Sequence, residues 1–365
     1  MKIDRKEFVE VLEKVRPGIG GNVLVPEFQY FQIDGSRIQT TDGTVVITAK
    51  FPLDTGLNCS VPQEVFRLLA SLDAEIVDLV VENDMLSVKT SKLEGEFAVL
   101  TPAKFKVLDT VDAEDVKLVD PELINDVVEG LGFCRFAASK DKTSGPRTGV
   151  QINGNTLFST DRYRVLKWNL DGDTGIKSSV PIKFIDILKR YQSRISQLSC
   201  LETIKTFVAA LDDDTCISTS LIDGEFPKVL KYFPDPSAEY KCVEFENNLS
   251  FAIDRHSGLL GAVDACDREM LVEARAGICT LTSQVPEKSN LVEQVDVEMV
   301  AGEEISFSVN PIFLQEITSR CSSFKYFTNG LILFETKKFR YVMRAVVTPA
   351  EKVRLAKQAE PETVN

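Results

Sequence analysis

The sequence predicts an α+β fold built three times over, each copy a sheet with two helices laid on one face. The segment Val61-Pro62-Gln63-Glu64-Val65-Phe66-Arg67-Leu68-Leu69 is matched 119 residues on by Val180-Pro181-Ile182-Lys183-Phe184-Ile185-Asp186-Ile187-Leu188. A looser match, Val309-Asn310-Pro311-Ile312-Phe313-Leu314-Gln315-Glu316-Ile317, follows after a further 129 residues. In all three a proline stands at or near a helix start, and apolar residues follow at the fourth, fifth and eighth places after the valine, the spacing of one helical face. A second observation fixes the register: Ile38-Gln39-Thr40-Thr41-Asp42 and Leu157-Phe158-Ser159-Thr160-Asp161 both close a strand-like run on Thr-Asp, again 119 residues apart. The third is that helical patterns are few and alternating runs many within every third.

Each copy opens with an amphipathic helix, expected over residues 5–15, 121–133 and 249–260; Asp120 before Pro121 is a cap-then-proline start. Strands are expected over 37–51, 76–89, 95–100, 156–170, 207–221, 278–282, 295–300, 324–334 and 339–347. Leu100-Thr101-Pro102-Ala103-Lys104-Phe105 and Leu221-Ile222-Asp223-Gly224-Glu225-Phe226 each lead into an acidic, proline-containing stretch and read as connectors. The division that follows is 1–115, 116–236 and 237–347, with 348–365 as a polar tail. A helix over 351–359 would be marginal alone, so disorder is expected there.

Composition narrows the function. No run approaches the roughly 20 apolar residues of a membrane span, and Met1-Lys2-Ile3-Asp4-Arg5-Lys6-Glu7 lacks a signal-peptide core, so a soluble, cytoplasmic chain is expected. The 8 cysteines are scattered singly with no C-x-x-C pair, and read as reduced and mostly structural. With His256 the only histidine, histidine-based catalysis depends on one residue, which argues against an enzyme. The net charge of −13 permits a polyanion partner only if positive charge is gathered on one surface.

The ordered set Met1-Lys2-Ile3, the Val61-Pro62 helix, Ser159-Thr160-Asp161-Arg162-Tyr163-Arg164-Val165, Ile222-Asp223-Gly224-Glu225-Phe226-Pro227 and Tyr341-Val342-Met343, on a threefold repeat, resembles the sliding clamp of bacterial replicative DNA polymerase, its beta subunit. The resemblance runs from Met1 to about Val347. It implies two subunits joined head to tail as a homodimer, with six domains around a pore, antiparallel sheets outside and helices inside. Such a ring encircles double-stranded DNA and acts as a processivity factor, without chemistry or cofactor of its own. The partners implied are the replicative DNA polymerase, the clamp loader and repair proteins, bound through short peptides.

The second Val-Pro helix meets the charge demand: Lys183, Lys189, Arg190 and Arg194 stand against Asp186 alone. Such a stripe is either a solvated face or a surface that attracts phosphates without reading bases. Arg135, Lys140, Lys142 and Arg147 form another basic run, and the resemblance places Arg147 in a DNA-contacting loop. In the first opening helix Lys14 and Arg16 lie near Glu10 and Glu13. The resemblance also implies a hydrophobic peptide pocket at Val150, Thr160, Tyr163, Arg164, Val165, Pro227, Tyr232 and Val342. Two residues depart from the family pattern: Arg162, with Tyr163, stands where Gly-His is usual, and Arg344 replaces an apolar residue. A cation there suggests a more acidic partner motif. Phe97, Leu259 and Leu260 match subunit-junction positions, with core packing as the other reading.

Other candidates carry less. Pro17-Gly18-Ile19-Gly20-Gly21 follows a helix and reads as a turn, Asp212-Asp213-Asp214 as a hairpin loop, and His256 as a helix-surface or interface residue. Beside the clamp reading stand a clamp-fold protein-binding scaffold without DNA encirclement and, third, a hydrolase using scattered carboxylates.

Overall fold

The structure, a computed structural model, describes residues 2–21, 24–51, 56–101, 116–261, 263 and 268–346. The tail 348–365, the boundary at residue 115, most of the first connector and Cys266 lie outside the described residues. The chain divides into two compact units: Met1–Gly132 with Gln151–Asn155 and Asp171–Asp223, and Phe133–Val150 with Thr156–Leu170 and Gly224–Asn365. The described strands form three antiparallel sheets.

Six α-helices are described: α1 (Arg5–Val15), α2 (Gln63–Ser71), α3 (Ile124–Cys134), α4 (Ile182–Arg190), α5 (Asn247–Leu260) and α6 (Pro311–Thr318). Asp4 caps α1 by accepting from the amides of Lys6 (2.7 Å) and Glu7 (3.1 Å), satisfying two of the donors that a helix start leaves open. Phe8, Val11, Leu12 and Val15 make its buried stripe. The repeated apolar positions are the buried ones: Val65, Phe66 and Leu69 in α2, and Phe184, Ile185 and Leu188 in α4. Pro62 and Pro181 serve as N-caps, whereas Pro311 is the first residue of α6, capped by Asn310. The expected second opening helix starts later, because Asp120-Pro121 begins a 3-10 turn that continues into α3 from Ile124.

The first unit holds a four-stranded sheet in the order Lys2–Asp4, Ile76–Glu82, Met85–Lys89 and Glu94–Ala98. Its eight-stranded sheet runs Asn58–Pro62, Tyr30–Asp34, Arg37–Thr41, Val45–Lys50, Cys216–Ser220, Thr206–Leu211, Ile195–Leu201, Val116–Leu118. The join between first- and second-repeat sequence is thus an ordinary ladder, Ile47 opposite Ile217. The second unit has the matching join, Arg164–Asn169 against Phe339–Arg344, with Val165 opposite Val342 and Trp168 opposite Phe339. From Phe339–Arg344 the sheet continues through Leu331–Glu335, Ser323–Phe327, Tyr240–Phe245, Ser289–Ala301, Ile278–Val285, Met270–Arg275 and Glu304–Val309.

Several runs expected as single strands are hairpins. Residues 37–51 break at Asp42-Gly43-Thr44, residues 156–170 at Asp161-Arg162-Tyr163, and residues 76–89 at Asn83-Asp84, which both take positive φ. The Asp212-Asp213-Asp214 segment is the expected hairpin link between Thr206–Leu211 and Cys216–Ser220. His256 differs from expectation: it is fully buried in α5, its Nδ1 2.8 Å from Ser283 Oγ and its Nε2 4.0 Å from Glu293. Burial pushes its pKa down, against the pull of Glu293. The seven described cysteines are all unbonded, and burial pushes the Cys279 thiol up to about 12.

Candidate functional site

Within the second unit, the Thr160-Asp161-Arg162-Tyr163-Arg164 turn stands at one end of a cleft of about 300 Å³. The turn is built from its own side chains. Thr160 Oγ donates to the Arg164 carbonyl (2.7 Å) and accepts from the Arg162 amide (3.3 Å), while Asp161 Oδ1 accepts from the amides of Tyr163 (3.1 Å) and Arg164 (3.2 Å). Below it, Phe158, Val165, Val229, Phe327, Leu333 and Val342 form one buried cluster, against which Phe226, Phe233 and Leu331 pack.

Arg164 is buried, and each of its three guanidinium nitrogens donates a hydrogen bond. Its Nε donates to Asp161 (2.9 Å), its Nη2 to the Phe136 carbonyl (2.7 Å) and its Nη1 to Tyr341 Oη (3.4 Å), and its guanidinium lies 4.6 Å from the centre of the Phe313 ring. Tyr341 Oη in turn donates to the Phe313 carbonyl (2.8 Å), and burial pushes its pKa up to about 12 against the opposing pull of Arg164. A guanidinium with this many partners is a fixed part of the wall.

Of the expected pocket residues, Thr160, Arg162, Tyr163, Arg164, Val165, Pro227, Tyr232, Val342 and Arg344 all line this cleft. Val150 does not; it is wholly buried in the strand Gly149–Asn153. Val229, Leu331 and Met343 line it without having been expected. Val229 follows Pro227 so closely that the Pro227-Lys228-Val229 segment could have suggested it; Leu331 enters only through sheet pairing, which no local pattern reveals. Tyr163 is 69% exposed and stacks on Phe313 at 6.1 Å, and Tyr232 is 50% exposed, so both offer aromatic surface at the mouth. Arg147 also lines this cleft.

The basic stripe of α4 lies in the first unit and is largely neutralised from within. Lys183 pairs with Asp42 (2.6 Å), Arg190 with Glu13 (3.1 Å), and Arg194, just past the helix, with Asp212 (2.8 Å) and Asp213 (2.7 Å), while Lys14 also reaches Asp213 (2.6 Å). Burial acts to raise the Asp42 and Asp213 pKa values, but hydrogen bonds from Lys183 and Lys14 respectively, with others from nearby groups, hold both carboxyls below their usual range. Lys189 donates to Gln192 (2.8 Å), and its stem crosses Gly132 of α3 so closely that a Cβ there would lie 2.5 Å from it. Leu260 is core, 1% exposed, whereas Leu259 and Phe97 are half-buried.

No family model matches the chain. In sequence it is 20% identical over 336 residues to the beta sliding clamp of Bacillus subtilis (strain 168), covering 86% of this chain and 88% of that protein. To the beta sliding clamp of Staphylococcus aureus (strain Mu50) it is 23% identical over 326 residues, 87% and 80% of the two chains. The chain is a distant relative of the beta sliding clamps. The fold agrees: the Bartonella birtlesii sliding clamp, DNA polymerase III subunit beta, solved with griselimycin, superposes with a TM-score of 0.80 at 17% identity over 95% of this chain and 99% of that one. The Pseudomonas aeruginosa DNA polymerase sliding clamp, solved with a ligand, gives 0.76 at 18% over the same shares. The kinship is therefore with a non-catalytic polymerase subunit. Among the described residues no helix is long and apolar enough to cross a membrane.

Proposed function

We propose that this chain is a DNA sliding clamp, a processivity factor of three domains, 1–115, 116–236 and 237–347, that closes head to tail with a second copy around duplex DNA. What carries the reading is a similarity to beta sliding clamps that runs nearly end to end in sequence and fold alike. Phe97 and Leu259 are assigned to the subunit junction, while Leu260, expected there too, packs in the core. Lys183, Lys189, Arg190 and Arg194 are assigned to phosphates, and the cleft at Val165 and Val342 to short peptides of the polymerase and other replication and repair proteins. Phosphate binding of this kind holds any sequence equally and falls away with salt.

The deciding experiment is retention on circular DNA against the same DNA linearised: a ring stays on the circle and runs off the ends. Replacing the four basic residues by alanine should weaken retention on every sequence alike and reduce the salt slope by about one unit for each phosphate no longer neutralised. A second reading, a clamp-fold scaffold that binds proteins without encircling DNA, is favoured by the carboxylates already paired with Lys183, Arg190 and Arg194. Equal retention on circle and line would decide for it. In the cleft, Leu331→Asp at the half-buried wall should cost a bound peptide about 2 kcal/mol by placing an unpaired charge where its anchor desolvates.

A further inference from the structure

The lining of the cleft holds four arginines and no carboxylate. Arg164 is satisfied by Asp161, Phe136 and Tyr341. Among the described residues the other three, Arg147, Arg162 and Arg344, form no ion pair; Arg162 and Arg344 are exposed, and Arg147 only leans toward the Ser144 carbonyl at 3.4 Å. Asp141 draws on Arg162 electrostatically, but its oxygens are already engaged by Thr143 and Ser144. Three like charges around one apolar cleft repel each other, and an anion between them relieves that repulsion.

The backbone adds an independent observation. Arg162 has φ +85°, a conformation that suits glycine, and the first repeat has glycine at that place in the same turn, Gly43 at φ +88°. Strain kept at a non-glycine residue on the edge of a cleft points to a job for its side chain.

Resting on the peptide-pocket reading, we propose that Arg162, Arg344 and Arg147 form a cationic rim that selects partner peptides carrying carboxylates beside their apolar anchors, with Arg162 a specificity residue held against its backbone preference. The apolar floor takes the anchors and the rim takes the acids. A nucleic acid strand would meet the same rim, but its phosphates would leave the valine floor unused.

The test is calorimetric titration of the full chain with two short synthetic peptides, one with adjacent leucines flanked by glutamates and a twin with glutamines instead. The acidic peptide should bind about tenfold more tightly at low salt, with the gap closing as salt screens the rim. Arg162→Gly and Arg344→Met should each weaken the acidic peptide by about threefold and leave the glutamine twin unchanged. Arg162→Gly should also raise Tm; a fall in Tm would overturn the strain argument. Leu331→Asp, and Val342→Asp where it folds, should weaken both peptides. Equal affinity of the twins for the unmodified chain, with Leu331→Asp still weakening both, would overturn the charge selection and leave the pocket standing. Binding of neither peptide, or binding indifferent to Leu331→Asp, would overturn the pocket and the rim with it. Displacement of the acidic peptide by a short duplex oligonucleotide at equal concentration would overturn the choice of a peptide over a polynucleotide.

Discussion

The strands Arg37–Thr41 and Val45–Lys50 of the first repeat are joined through Asp42-Gly43-Thr44, and the strands Thr156–Thr160 and Arg164–Asn169 of the second through Asp161-Arg162-Tyr163. Their hydrogen bonds correspond one for one: Thr41 and Thr160 bridge across the turn, and Asp42 and Asp161 each accept from the amides two and three residues on. They differ in what surrounds the aspartate. Asp42 faces a lysine whose side chain is 36% exposed, while Asp161 faces an arginine that is 6% exposed. One backbone device therefore serves twice, once as a plain link and once as the support of a buried cation.

Removing each aspartate tests this most strongly. Asp161→Ala leaves Arg164 charged and buried without its carboxylate and should cost about 3 kcal/mol. Asp42→Ala should cost about 1 to 2 kcal/mol, mostly through the turn bonds it removes, because Lys183 still reaches water. Urea unfolding measures both, and equal losses would erase the distinction between the turns. Next come the pivotal residues. A Cβ on Gly43 would sit 2.9 Å from the Phe28 ring at a φ of +88°, so Gly43→Ala should cost about 2 kcal/mol. Arg162→Gly should instead gain about 1 kcal/mol by relieving the same conformation.

The smallest effect is in acid. Although burial pushes the Asp42 pKa up, Lys183 and the amides of Val45 and Thr44 bring it below its usual value. Its contribution is therefore present above the unfolded carboxylate pKa, near about pH 4, and is lost as pH falls through the lower folded value. Lys183→Met should then lower stability at neutral pH by less than about 1 kcal/mol and make little difference in acid. Thermal melts across that range measure it; a deficit undiminished in acid would show that Lys183 acts through packing rather than charge.

Much of this pairing of turns was legible from Thr-Asp recurring at one spacing, because a side chain that bonds its own next amides specifies a turn locally. The Val-Pro helices were legible for the same reason, through a proline and an apolar stripe. Strands such as Tyr30–Asp34, Asn58–Pro62 and Met270–Arg275 were not: each has one neighbour from distant sequence, although Tyr30–Asp34 and Met270–Arg275 also form hairpins with the strands that follow them. The cleft was half legible. Thr160 to Val165 are one local motif, but Leu331 reaches the wall through a ladder, and no sequence pattern placed Arg147 there. The basic stripe of α4 has only Asp186 against it on its own helix, and the acids that pair with it, Asp42, Glu13 and Asp213, come from elsewhere in the chain.

Trp168, the only tryptophan of the chain, lies on the strand that joins second-repeat to third-repeat sequence, 5% exposed. Its indole is stacked on Phe339 at an interplanar angle of 10°, close to Phe133 at 5.0 Å, with the Lys338 ammonium 5.9 Å from the ring. The protein thus carries its own optical gauge at one seam. Excited selectively, the indole emits at short wavelength while the ladder from Arg164 to Asn169 stays zipped, and shifts to the red when water enters there. The first unit has no tryptophan, so its loosening alone would pass without a change in colour.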